Sequence, residues 1–113
     1  GIMICPGVQS GLEALSFAAA ALPDISLDQP KALLGKNTVD SMTSGVIYGA
    51  AAMIDGLVDR LRDEVGAASL PVIATGGLAG AILPYCRTQC RHEPELVLLG
   101  LRHIWEINRM KRR

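Results

Sequence analysis

The feature that most constrains the fold is a long segment of helical periodicity between residues 38 and 66. Apolar residues recur there at the spacing of one helix face, at Met42, Val46, Ala50, Met53, Ile54, Leu57, Val58, Leu61 and Val65. Asn37 or Thr38 is suited to cap the start, and Asp40 adds negative charge to the first turn. Gly66 closes the pattern. We therefore predict one helix of about 27 residues, roughly 40 Å long.

The part of the chain before this helix predicts a strand and a second helix. Residues 2–5 form a short apolar run stopped by Pro6 and Gly7, which is typical of a buried strand. Residues 10–13 have the S-x-x-E form of a capping box. They predict a helix that stops at Leu22-Pro23, followed by a connection in which residues 30–34 can form a short helical turn.

The part after the long helix predicts one strand and two helices. Residues 70–75 form a second apolar strand, and Gly76-Gly77 leads into a helix from Leu78 to about Tyr85. Residues 87–95 are polar and predict a loop. Apolar residues then recur at helical spacing from Leu98, which predicts a final amphipathic helix. The chain is therefore expected to be one α/β unit of about four helices and two strands.

Charge and cysteine usage restrict the possible functions. Lys plus Arg equal Asp plus Glu at eleven each, so no overall positive field favours nucleic acid, and we expect no direct contact with it. The longest apolar stretch, residues 46–54, stops at Asp55 and is shorter than a membrane span, so we expect no membrane insertion. Three cysteines suit a reducing compartment, and we predict a cytoplasmic protein.

Two segments have the residue types of a ligand site. Lys36, Asn37 and Thr38 stand at the start of the long helix, where free amides and the dipole attract anions, although plain capping accounts for the same residues. Thr75, Gly76 and Gly77 form a glycine turn after a buried strand. That turn either lets a ligand approach the backbone or is simply tight. Neither segment is a P-loop or a dinucleotide fingerprint.

Other candidate chemistry is weaker. Cys86, Cys90 and His92 could supply zinc ligands, but no fourth ligand is apparent, so we predict no metal site within the chain. No carboxylate stands in an apolar setting that would clearly shift its pKa. Small residues at Ser41, Gly45 and Gly49 predict close approach of another backbone, within the subunit or across a dimer.

In order and spacing, these motifs resemble the carboxy-terminal half of type III pantothenate kinases. Residues 1–7 resemble the family's G-x-I-x-P-G turn with one inserted position, and residues 74–77 carry its A-T-G-G turn. The ending resembles its P-x-L-x-L-x-G-L segment, beginning at Pro94. The longest match is G-K-N-T-x-x-S-x-x-S-G-x-x-Y-G, found as Gly35, Lys36, Asn37, Thr38, Ser41, Ser44, Gly45, Tyr48 and Gly49 and continued by Ile54-Asp55-Gly56.

The resemblance implies the carboxy-terminal domain of an actin-like ATPase (ribonuclease H-like) fold over residues 1–113, without the amino-terminal ATPase domain. It implies phosphorylation of pantothenate, the first step of coenzyme A synthesis, using ATP with a divalent metal (Mg) and a monovalent cation (K or ammonium), by a homodimer. Thr38 matches the family's pantothenate-contacting threonine, and Thr75, Gly76 and Gly77 match the turn near the nucleotide.

The same resemblance places the catalytic residues outside this chain. The family's D-x-G-N-T phosphate loop, its G-x-D-R motif with the catalytic aspartate, and its D-x-G-T-A segment all precede the point that matches Gly1. We therefore expect no catalytic residue within the chain and no turnover by the chain alone. Two alternatives remain: a non-catalytic accessory module linked to transcriptional activation, or another actin-like small-molecule kinase.

Overall fold

The computed structural model describes residues 1–18 and 27–111, which form an α/β arrangement rich in helix. The elements within these residues, in chain order, are α1 (Val8–Ala18), α2 (Thr38–Val65), β1 (Val72–Ala74), α3 (Ala79–Ile82) with a 3-10 turn (Leu83–Tyr85), β2 (Cys90–His92) and α4 (Leu96–Lys111).

The long helix α2 confirms the strongest sequence prediction at both ends. Asn37 is the N-cap: its Oδ1 accepts a hydrogen bond from the Asp40 amide at 2.9 Å, and its Nδ2 donates to Asp40 Oδ2 at 2.7 Å. Gly66 ends the helix in the left-handed region, with φ of 64°. The Ala67 amide then donates to the Arg62 carbonyl at 3.0 Å, which satisfies a carbonyl of the last turn.

By length and composition alone, α2 could also cross a membrane, although its apolar run was expected to be too short. This is weak evidence, because the core helix of a soluble protein meets the same criterion. Ile47 and Ala51 are buried against other elements of the chain. Asp55, two turns beyond Ile47, accepts hydrogen bonds from backbone amides. These contacts favour a core helix.

The core lies where α3 and the 3-10 turn cross the middle of α2. Ile47, which is 1% exposed, packs with Ala51 and Ile82. Beside them the rings of Tyr48 and Tyr85 meet edge to face, with centroids 5.1 Å apart, a geometry that adds about 0.5–1.5 kcal/mol to the area buried. The centre of α2 is therefore the scaffold for the strands that follow.

The two strands pair in parallel and correct two predictions. Val72 aligns with Cys90 and Ala74 with His92, so residues 87–95, predicted to be a loop, contain β2. Residues 2–5, predicted to be a strand, form none, and Ile2 is 94% exposed. A strand is stable only beside a partner that satisfies its backbone groups. An apolar composition such as that of residues 2–5 does not by itself provide such a partner.

The first helix and the connection after it also differ from prediction. The helix α1 begins at Val8, and the Gly11 amide donates to the Gly7 carbonyl at 2.9 Å, so Ser10 lies inside the first turn and is not a cap. Glu13 instead accepts a hydrogen bond from Gln9 Nε2 at 3.0 Å. Residues 30–34 contain bends and no helix. The predicted stop at Leu22-Pro23 lies outside the described residues.

The last helix, α4, confirms its prediction but leaves its apolar side exposed. Leu98, Leu101, Ile104 and Trp105 are each more than half exposed. On the polar side, Arg102 pairs with Glu106 at 2.9 Å. The predicted short helix near residue 78 is confirmed as α3 and the 3-10 turn.

Candidate functional site

A groove of about 580 Å³ lies at the start of α2, where the preceding loop folds back onto the helix. The lining combines backbone, hydroxyl, amide and ammonium groups with apolar side chains: Leu15, Gly35, Lys36, Asn37, Thr38, Ser41, Met42 and Gly45. We call this cavity the helix-start groove. It brings together all three residues that the sequence marked as a candidate ligand site at this helix start.

Gly35 sets the close contact between the loop and the helix. A Cβ atom at this position would lie 2.6 Å from the Asp40 carbonyl carbon and 2.6 Å from Ser41 Cα. Both atoms belong to the helix backbone and cannot rotate away. Only glycine therefore lets residues 35–37 pass so near the first turn, which gives the helix-start groove its wall.

Two side chains tie the rest of the loop to α2. The Ser44 hydroxyl, which is buried, donates to the carbonyl oxygen of Leu33. Lys31 Nζ lies 3.5 Å from Asp40 Oδ1. Asp40 is thus held by a cation and by the Asn37 amide group, so its charge is partly compensated beside the groove.

In the structure, the residue that caps α2 and the hydroxyl residue available to a ligand are different residues. Asn37 performs the capping, and Thr38 is the first helical residue, exposed on the wall of the groove. The leading amides of a helix have no intrahelical acceptor, and the helix dipole makes this end positive. Lys36 is exposed on the same wall. These groups suit a small anion.

The glycine turn formed by Thr75, Gly76 and Gly77 lies elsewhere. It connects β1 to α3, and Gly76 has a φ of 105°, a conformation that side chains rarely allow. The Gly76 carbonyl accepts a hydrogen bond from the Ala79 amide at 3.2 Å. All three residues are exposed, and the space beside both glycines is open.

Among the described residues, Thr38 and the glycine turn do not share the helix-start groove, because its lining contains none of the three turn residues. The helix α3, which follows the turn, packs on α2 at Ile47 and Ala51. Ile47 and Ala51 lie roughly 14 Å and roughly 20 Å along the axis from Thr38, at about 1.5 Å per residue. Within the described residues, the two predicted segments are therefore separate surfaces on one scaffold.

Two of the three small residues of α2 face open space. A Cβ atom at Gly45 or Gly49 would meet nothing within 4 Å, so the described part of the chain supplies no close backbone approach there; at Ser41 the backbone of Gly35 supplies one. Gly45 and Gly49 line a second groove of about 340 Å³, between α1 and α2. An intersubunit contact at this series stays a prediction.

Asp55 is a polar contact that the sequence pattern did not reveal. Its carboxylate accepts hydrogen bonds from the Arg87 amide, at 3.0 Å to Oδ1 and 2.9 Å to Oδ2, and from the Thr88 amide at 2.8 Å. Burial alone raises the pKa of Asp55, but these amides, together with the Thr88 side chain and the Arg87 charge, outweigh burial and lower the pKa below its ordinary value. The prediction from the sequence concerned only carboxylates in apolar settings, and the net shift at Asp55 comes mainly from hydrogen bonds instead. A signal existed: Asp55 continues the four-residue spacing of Ile47 and Ala51.

The pKa of the neighbouring thiol, Cys86, is shifted in the opposite direction. Burial raises the pKa of Cys86, and the negative charge of Asp55 raises it further. Cys86 is thus a neutral thiol at pH 7, and its Sγ lies 3.7 Å from the Ile82 carbonyl oxygen. Across residues 1–18 and 27–111, no three His, Cys, Asp or Glu side chains are grouped so that they could hold a metal ion. Cys86, Cys90 and His92 therefore form no built zinc site there.

The lowered pKa of Asp55 predicts a dependence of stability on pH. Asp55→Asn is expected to lower the free energy of unfolding at pH 7 by about 1–2 kcal/mol, because the charge-assisted acceptor is lost. The folded pKa is depressed below the ordinary value of 3.8, so this contribution is present above that value and is lost as the pH falls through the folded pKa. Urea unfolding of both proteins between pH 7 and pH 3 should show the difference shrinking below about pH 4. A constant difference would contradict the assignment.

The chain is similar over nearly its whole length to curated bacterial proteins. A family profile described as type III pantothenate kinase matches residues 1–60. A protein of Frankia alni named type III pantothenate kinase is 45% identical over 108 residues, 96% of this chain and 43% of the relative. Relatives with the same name in Mycobacteroides abscessus and Rhodococcus jostii are each 44% identical, over 100% and 99% of this chain and 43% and 42% of their own lengths. The chain thus spans less than half the length of these relatives.

Proposed function

Because the chain belongs to the type III pantothenate kinase family, we propose that the protein containing it transfers phosphate from ATP to pantothenate, in the first step of coenzyme A synthesis. The observation that carries this proposal is the groove at the start of α2, built by the same G-K-N-T segment that carries the family resemblance. The chain supplies the carboxy-terminal part of that enzyme, and we propose that residues 1–113 form one domain.

Pantothenate is an anion with a carboxylate and hydroxyl groups, which suits the helix-start groove. We assign the substrate contact to the Thr38 hydroxyl, which is exposed on the groove wall while Asn37 caps the helix. The positive end of α2 and the nearby Lys36 favour a carboxylate. The proposed role of these residues is to bind and orient the substrate so that its hydroxyl is held for transfer.

The nucleotide is proposed to approach the glycine turn, Thr75, Gly76 and Gly77. The open space beside Gly76 and Gly77 supports this, because a bulky ligand can reach the backbone there. The described residues offer no grouping that suits a divalent metal. Magnesium is therefore expected to arrive with ATP, and its protein ligands and those of a potassium or ammonium ion are assigned to no residue described for this chain.

The remaining parts of the proposal concern the whole enzyme. Phosphoryl transfer needs groups that position the phosphates and stabilise their charge, and we assign those groups to the portion of the relatives that this chain does not match. We propose an actin-like fold for the complete protein, a homodimeric assembly and a cytoplasmic location. The 113-residue chain by itself is expected to show no turnover with ATP and pantothenate.

Replacing the Thr38 hydroxyl tests the substrate assignment. In the complete enzyme, Thr38→Val is expected to raise the dissociation constant for pantothenate about tenfold, because one hydrogen bond to a charged or polar ligand is lost. Titration calorimetry measures that constant directly, and steady-state kinetics give the KM for ATP, which should stay unchanged. Thr38→Ser, which keeps the hydroxyl, is the matched control. Equal pantothenate affinity in Thr38→Val and the wild type would refute the assignment.

A further inference from the structure

Asp55 connects the centre of α2 to the segment that leads into β2. Three hydrogen bonds of 2.8–3.0 Å join its carboxylate to the amides of Arg87 and Thr88. The partners lie more than thirty residues apart in sequence, so this contact closes a long loop. Asp55 also lies on the same side of α2 as Ile47 and Ala51, which hold α3.

We call the contact of Asp55 with the Arg87 and Thr88 amides the Asp55 clamp. The segment that it holds is coupled to the glycine turn through the sheet. The strand β2 begins at Cys90, two residues after Thr88, and pairs in register with β1. At the far end of this pair, the Glu93 amide donates to the Ala74 carbonyl at 2.9 Å. Ala74 is bonded directly to Thr75, so the last contact of the ladder fixes the entry to the turn.

The exit from the turn is held by the same scaffold. The helix α3 follows Gly77 and buries Ile82 against Ile47 and Ala51 on α2. The imidazole of His92, the last residue of β2, reaches within 3.7 Å of the position that a Cβ would take at Gly80. The chain before the glycine turn and the chain after it are therefore both fixed relative to α2, one through the Asp55 clamp and the other through the core.

We propose that Asp55 is a positioning residue, which fixes the glycine turn for the nucleotide through the clamp and the two strands. The nucleotide part rests on the function proposed above. The helix-start groove lies at the amino-terminal end of α2, away from Asp55, and is held by its own contacts at Gly35 and Ser44. A change at Asp55 should therefore affect nucleotide binding more than pantothenate binding.

Asp55→Asn tests this inference, with Asp59→Asn as the matched control. Asp59 lies one turn further along α2, its side chain is 74% exposed, and it pairs only with Arg62 of its own helix among the ion pairs of the described residues. In Asp55→Asn, hydrogen exchange of the Arg87 and Thr88 amides is expected to accelerate about tenfold. The Glu93 amide, at the entry to the turn, should accelerate at least threefold. Asp59→Asn should change neither.

Kinetics of the complete enzyme distinguish positioning of the turn from a purely structural role, because loss of structure alone would not change the KM for ATP selectively. Asp55→Asn is expected to raise the KM for ATP about fivefold while the KM for pantothenate changes less than twofold, and Asp55→Glu, which keeps a carboxylate acceptor, should recover part of the loss. An unchanged Glu93 exchange rate, or an equal rise in both KM values, would overturn the inference. If the wild-type enzyme does not phosphorylate pantothenate, the proposed function fails, and the Glu93 exchange rate still decides whether Asp55 positions the turn.

Discussion

Gly35→Ala is expected to cause the largest loss of ligand binding in this protein. The new methyl group would overlap the backbone of Asp40 and Ser41, at 2.6 Å from two carbon atoms. Backbone at the first turn of a 28-residue helix cannot move aside as a side chain can, so the loop must lift away from α2. We expect the free energy of unfolding to fall by about 2–3 kcal/mol.

The lifted loop should also lose the wall that shapes the helix-start groove. Pantothenate affinity is expected to fall more than tenfold in the complete enzyme, which titration calorimetry measures; urea unfolding measures the stability change. Gly56→Ala is the control, since Gly56 is helical and a Cβ there meets nothing within 4 Å. It should stabilise the protein by up to about 1 kcal/mol. Wild-type binding by Gly35→Ala would show that the loop is not held as described.

Ile47→Ala is expected to cause the largest loss of stability. Ile47 is 1% exposed, and it lies where α2 meets α3. Removing its branched side chain takes away buried apolar area and leaves a cavity that a helix crossing cannot easily close. The expected loss is about 2–4 kcal/mol in the free energy of unfolding, within the range for buried isoleucine-to-alanine changes.

The same helix offers a control for that measurement. Val65 ends α2 and is 57% exposed, so Val65→Ala should change the free energy of unfolding by less than about 0.5 kcal/mol. Chemical denaturation followed by circular dichroism compares both variants with the wild type. Similar losses in the two variants would mean that Ile47 is not at the centre of the core.

The helices were largely predictable because their signals are local. The apolar spacing of α2, its cap at Asn37 and its stop at Gly66 all act within a few residues of each other. The same locality explains the predictions for α3 and α4. Where a local signal had a close competitor it failed: Ser10 has the form of a cap, yet α1 begins at Val8 with the Gly11 amide bonded to Gly7.

The strands were less predictable because pairing depends on distant residues. The segment Cys90–His92 is polar and resembles a loop, but it becomes β2 because β1 offers it a ladder. Residues 2–5 have the composition of a strand and form none within the described part of the chain. Backbone hydrogen bonds between segments decide such cases, and a sequence pattern does not name the partner.

The sequence by itself determined the family, the long helix and the identity of the G-K-N-T segment at its start. Each of these depends on residues that are close together in the sequence. Only the tertiary structure decided that Asn37 caps while Thr38 lines a groove, that Gly35 admits no side chain, and that Asp55 holds amides more than thirty residues away. These features depend on which backbone groups approach one another in space. Burial and hydrogen bonding across that distance set the pKa of Asp55, and local spacing carries no measure of either.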